Sequence, residues 1–138
     1  MTILLHGIAH VRLTVTDIDR SRAFYDELFG LPVLAELPAD ADDATREKLS
    51  FLFGGVIYKL GDSLLGLRPV GGDTFDEDRV GLDHVSFAVA GRSALVAAVQ
   101  TLDDRGVEHG GIKEVDSGFI LEFRDPDNIA LELFAARE

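Results

Sequence analysis

Cysteine and tryptophan are missing from this chain, and there is only one methionine. With no cysteine, disulfide scaffolds, thiolate zinc sites, iron–sulfur centres and cysteine nucleophiles are all excluded. Positive charge is scarce as well: 13 Lys and Arg stand against 25 Asp and Glu, a formal charge of −12. Nucleic acid is a poor partner for such a chain, because its phosphates must be met by Lys and Arg. An anionic membrane surface is disfavoured for the same reason. No apolar run approaches the roughly 18 residues of a membrane span. Met1 to His6 carries no basic n-region and no small-residue cleavage site. The expectation is a soluble, cytoplasmic protein. What the chain does have is 46% hydrophobic residues over 138 positions, enough for one folded domain with a core of its own.

The chain repeats itself. Gly7-Ile8-Ala9-His10-Val11-Arg12-Leu13-Thr14-Val15 aligns with Gly81-Leu82-Asp83-His84-Val85-Ser86-Phe87-Ala88-Val89, 74 residues further on. Both segments alternate with period two, the mark of a strand with one buried face. A helical pattern follows each. In the first, Asp17 or Asp19 caps a helix that runs to about Phe29 and stops at Gly30. In the second, Ser93 caps and Gly106 stops. Strand-like runs come next, at about Val33–Leu37, Leu49–Phe53, Val56–Leu60 and Leu64–Arg68 in the first half. In the second half they lie at about Gly111–Val115, Gly118–Phe123 and Ile129–Phe134. Asp125-Pro126-Asp127-Asn128 reads as a tight turn, and Ala39 to Lys48 as a loop or short surface helix. The expected organisation is α+β, two βαβββ modules over about 6–70 and 81–138, joined by a linker at 71–80.

Alternation then sorts the polar side chains. With Val11, Leu13 and Val15 under a helix, His10, Arg12 and Thr14 face the other way. With Val85, Phe87 and Val89 under theirs, His84 and Ser86 do likewise. In the last strand Leu131 and Leu133 pack inward and Glu132 points outward. Two imidazoles and a carboxylate on matching faces are the ligand types of a facial triad with open positions. Iron, manganese, nickel or zinc would suit it. The same residues are also compatible with a wet cleft that holds no metal.

The segments His10–Val15, Arg20–Gly30, Gly81–Val89 and Phe123–Leu133 resemble the vicinal oxygen chelate superfamily, also called glyoxalase/bleomycin resistance/dioxygenase. The likeness spans nearly the whole chain. It implies curved mixed sheets enclosing a cavity, helices on the outer face, and assembly as a homodimer. It also implies that His10, His84 and Glu132 occupy three metal positions. Glyoxalase I and the methylmalonyl-CoA epimerases have Glu where this chain has Gly66, as a fourth ligand or catalytic base. Gly can be neither, so the three-ligand set looks more like extradiol dioxygenases or manganese-dependent fosfomycin-resistance transferases.

A divalent cation held by two neutral imidazoles and one carboxylate keeps a local charge of about +1. Such a site chelates adjacent oxygens of a small substrate and acts as a Lewis acid. Tyr58 and Glu122 are candidate acid–base groups. Arg12 and Arg68 are candidates to hold a substrate carboxylate or phosphate, although Arg68, before Pro69, reads first as an exposed strand end. Phe134 shares the face of Glu132 and is a candidate pocket wall. His109, between polar and Gly residues, reads as surface, and the role of His6 is open. The acidic clusters at Asp42-Asp43 and Asp76-Glu77-Asp78 read as solvated loops. The competing functional reading is a bleomycin-resistance-type protein that sequesters an antibiotic without catalysis. The charge of −12 favours it if the ligand is cationic, whereas sequestration has no need of the three ligand-type residues.

Overall fold

The computed structural model describes residues 1–138. The chain divides into two compact units, Met1–Asp73 and Thr74–Glu138. Each is a four-stranded mixed sheet with a helix on one face, and the architecture is α+β.

In the first unit, β1 (His10–Thr14) leads into α1 (Ile18–Phe29), then β2 (Val33–Glu36), α2 (Asp43–Lys48), a single 3₁₀ turn at Ser50–Leu52, β3 (Val56–Leu60) and β4 (Ser63–Arg68). The sheet order is β1-β4-β3-β2, with β1 parallel to β4 and the other pairs antiparallel. Asp17 starts α1, its carboxylate accepting from the Arg20 amide at 3.1 Å. Gly30 ends it with φ of 56°, a left-handed conformation that costs little only for Gly, and its N–H donates to the Asp26 carbonyl at 3.0 Å. The helix buries Ser21 and Tyr25 against Leu13, Leu65 and Leu67. That face of the sheet is the core of the unit.

In the second unit, β5 (Val85–Ala88) leads into α3 (Arg92–Asp104), followed by β6 (His109–Val115), β7 (Gly118–Arg124) and β8 (Ala130–Ala136). The order is β5-β8-β7-β6, and β5 runs parallel to β8. The pairings repeat those of the first unit strand for strand. Leu95 and Leu102 of α3 are buried with Leu121, Phe123, Leu131, Leu133 and Ala135. The Asp125–Asn128 turn is built on the Asp125 carboxylate, which accepts from the amides of Asp127 and Ile129, both at 2.8 Å.

Three local expectations are corrected. Leu49–Phe53 is not a strand. The Ser50 hydroxyl donates to the Glu47 carbonyl at 2.8 Å and continues the turning of α2, and Phe53 ends the turn at φ of 51° before the Gly54-Gly55 pair. Its alternating apolar residues are one buried Leu52 between two exposed Phe rings. Ser93 does not cap the second helix: the cap is Gly91, two residues earlier, with no side-chain hydrogen bond there, and α3 begins at Arg92. His84 stands just before β5 rather than within it. Ala39 to Lys48 takes the helical option, with Asp42 capping α2 through the Thr45 amide at 2.8 Å.

Candidate metal centre

In the second unit, β8 is a central strand, so each of its residues has neighbours on both sides. Glu132 lies between Ser86 of β5 and Glu122 of β7. Parallel and antiparallel pairing place all three on the face opposite α3. Ser86 Oγ donates to Glu132 Oε1 at 2.7 Å. The other carboxylate oxygen, Oε2, stands 3.7 Å from His84 Nε2. On the far side of that ring, Nδ1 lies 2.6 Å from Asp83 Oδ1. A carboxylate can only accept, so Nδ1 carries the proton, and in the neutral ring Nε2 is the nitrogen whose lone pair faces Glu132. The hydrogen bond to Asp83 raises the His84 pKa above its ordinary value, partly offset by desolvation. Asp83 and Ser86 thus orient the two donors. Ser86 was placed on this face by alternation. Asp83, though next to His84 in sequence, was missed because adjacency in a strand normally separates side chains.

These two donors suit a metal. Ligand atoms about 2.1 Å from one ion at near right angles are about 3 Å apart, so the 3.7 Å pair needs only a small rotation. No group of three or more His, Cys, Asp or Glu gathers into a cluster that can hold a metal. His10, the third expected ligand, belongs to the first unit.

A cavity of about 320 Å³ opens over the His84–Glu132 pair. Five carboxylates line it, those of Glu77, Asp83, Glu108, Glu122 and Glu132. Glu122, half exposed, has Lys113 Nζ 3.7 Å from its Oε1. Arg124, also on the wall, is paired to Glu77. His109 lines the same cavity, with both nitrogens in use. Its Nδ1 accepts from the Gly111 amide at 3.0 Å, so Nε2 donates to Asp103 at 2.8 Å. Phe134 shares the Glu132 face, opposite Ala88 and Ile120, outside this cavity wall.

In the first unit, His10, Arg12 and Thr14 lie opposite Leu64, Gly66 and Arg68. A second cavity, about 260 Å³, is lined by His10, Arg12, Phe51, Ile57, Leu64 and Gly66. Arg12 donates from Nη2 to the Phe51 carbonyl. Arg68 is held with its guanidinium 4.4 Å from the Phe53 ring centroid and takes no part in the cavity wall. Tyr58 is buried on the opposite, helix-covered face, where its hydroxyl donates to Asp26 Oδ1 at 2.5 Å. Burial and that bond push its pKa up. It does not share the face of His10. Phe51 escaped the sequence reading because its segment looked like a strand. His6 lies in an exposed stretch beside Asp62 and Ser63.

The comparisons with known proteins bear on the fold and the family. Residues 7–133 match the family model described as Glyoxalase/Bleomycin resistance protein/Dioxygenase superfamily. The uncharacterized protein YwkD of Bacillus subtilis is 30% identical over 133 residues, covering 95% of this chain and 98% of its own length. A glyoxylase/bleomycin resistance protein/dioxygenase domain from Frankia sp. EAN1pec is 34% identical with a TM-score of 0.76, over 97% of this chain and 100% of that one. The fosfomycin resistance protein FosX from Listeria monocytogenes, in a structure complexed with Mn(II) and sulfate ion, shares the fold at a TM-score of 0.70 and 17% identity. That likeness covers 97% of this chain and 93% of FosX. With the repeated sheets, the matched span and a 30% identical relative over nearly its full length, the chain belongs to the glyoxalase/bleomycin resistance protein/dioxygenase superfamily.

Proposed function

We propose that this protein is a metal-dependent enzyme of the superfamily, in which His10, His84 and Glu132 hold one divalent cation. The cation would act on a small substrate chelated through neighbouring oxygens. The observation that carries the reading is the His84–Glu132 pair, with the lone pair of Nε2 left available by the Asp83 bond and 3.7 Å from the carboxylate. FosX, crystallised with Mn(II), supports a divalent ion in general. When bound, the ion supplies Lewis-acid polarisation of a substrate oxygen, worth several kcal/mol in such sites. The chain's own residues do the rest. Asp83 fixes the imidazole tautomer, and Ser86 holds one oxygen of Glu132 so that the other is presented. Glu122, directly across from Glu132 on β7, is the side chain best placed to accept or return a proton. Assembly as a homodimer belongs to the same proposal.

Elemental analysis of protein purified without chelator is expected to find about one transition metal per chain. His84→Ala and Glu132→Gln are expected to lose it while remaining folded. Metal-free wild-type protein would defeat the reading.

A second reading is favoured by the five carboxylates around the 320 Å³ cavity. They suit a cationic ligand held without turnover, as a drug-sequestering protein would hold it. A cationic antibiotic of the bleomycin class would then raise the Tm of metal-free protein, and unaltered antibiotic would be recovered from the complex. No shift with such compounds removes this alternative.

A further inference from the structure

We propose that Arg12 is a specificity-determining residue that binds the carboxylate of a small organic acid, and that Gly66 is what makes room for it. This deepens the functional reading above and rests on it in one respect: His10 and Arg12 are taken to serve the same ligand.

Arg12 follows His10 by two residues on β1, so both side chains leave the same face of the strand. Its register partner on β4 is Gly66. A Cβ placed on Gly66 would lie 3.0 Å from Arg12 Cγ and 3.6 Å from its Cβ. Any larger side chain there would displace the arginine stem. The empty side-chain position and the arginine are therefore one arrangement: the stem lies across Gly66 and brings the guanidinium into the cavity.

The guanidinium is poorly compensated there. Nη2 donates to the neutral carbonyl of Phe51, and the ring of Phe51 lies 5.9 Å from the guanidinium carbon. Nε is buried and has no acceptor. The other lining residues are His10, Phe51, Ile57, Leu64 and Gly66, and none is a carboxylate. In a chain with 25 acidic residues against 13 basic ones, this arginine is left without a counter-charge. A buried N–H without an acceptor and a cation in an apolar wall are both unfavourable unless a ligand completes them. An arginine presents Nε–H and a neighbouring Nη–H as a planar fork that matches the two oxygens of a carboxylate. A single guanidinium balances one negative charge, which favours a carboxylate over a doubly charged phosphonate or phosphate. The cavity, about 260 Å³, falls below the roughly 300 Å³ at which pockets for drug-sized ligands begin. The ligand class is a small carboxylic acid, and the metal reading above adds an oxygen on the carbon next to the carboxylate.

The test measures binding of 2-hydroxybutanoate, the neutral 2-hydroxybutanamide and (1-hydroxypropyl)phosphonate by calorimetry, with and without EDTA. It also follows the Arg12 Nε–H resonance by NMR. The acid is expected to bind at least about tenfold tighter than the amide, as one charge-assisted pair provides. It should also shift the Nε–H resonance, with EDTA or without. Arg12→Met is expected to erase the difference. Gly66→Ala is expected to weaken the acid severalfold and leave the amide unchanged, and it serves equally if Arg12→Met does not fold. Equal binding of acid and amide, a preference that survives Arg12→Met, or an acid affinity unchanged by Gly66→Ala overturns the proposal. An Arg12-dependent preference for the phosphonate overturns the carboxylate assignment. Acid preference in protein that never takes up metal keeps the arginine role and removes the metal reading. A metal-loaded protein without acid preference does the reverse.

Discussion

At the scale of single residues, two aspartates hold a proton donor in a fixed direction, with different consequences. Asp83 accepts from His84 Nδ1 while itself 79% exposed, so it contributes little packing. Asp83→Asn is expected to leave the Tm nearly unchanged and to weaken metal binding by about 10- to 100-fold, as loss of a ligand-orienting partner does elsewhere. A chelator competition titration measures this. Asp26 accepts from the buried Tyr58 hydroxyl, and the tyrosine pKa is raised in the folded state. Because the folded value lies above the unfolded value of about 10, the contribution is complete below about pH 10. It is lost as pH rises through the folded value. Tyr58→Phe is expected to cost about 1 kcal/mol at neutral pH and to flatten the alkaline loss of stability. Urea melts at pH 7 and above pH 10 read both effects.

At the scale of elements, the two long helices, α1 and α3, start differently. Asp17 closes the start of α1 with a side-chain bond, and Asp17→Ala is expected to cost about 1 kcal/mol. Gly91 starts α3 with extended backbone, no side-chain bond and open space around an added Cβ. Gly91→Ser is therefore expected to stabilise by a few tenths of a kcal/mol. Denaturant melts of the two variants should move in opposite directions. The elements also show what the sequence could reveal. Period-two alternation in β1 and the Leu131-Glu132-Leu133 run placed His10, Arg12 and Glu132 on their faces, because strand geometry leaves each side chain only two directions. The repeat of the Gly-x-x-His-Val pattern carried the βαβββ order. The Leu49–Phe53 segment could not be read, since a 3₁₀ turn with one inward leucine shows the same apolar spacing as a strand. The Asp83–His84 bond was equally hidden. It depends on His84 standing just outside β5, where neighbouring side chains are freed from strict alternation.

At the scale of the whole molecule, charge dominates. A net charge of −12 repels itself in the compact state. Raising sodium chloride from about 10 mM to about 0.2 M shortens the Debye length from about 30 Å to under 10 Å, so the Tm is expected to rise. A differential scanning fluorimetry series in salt measures this, and a falling Tm would mean that attractive pairs such as Arg22–Glu36 and Arg124–Glu77 outweigh the repulsion. The strand order has a consequence for timing. In each sheet the first strand made finds its partner only in the last: β1 with β4, and β5 with β8. Between β5 and β8 the ribosome must add α3 and two further strands before Ser86 can meet Glu132. The Ser86–Glu132–His84 arrangement of the second unit therefore cannot form on a partly synthesised unit, and a nascent chain paused before β8 exposes His84 without its carboxylate.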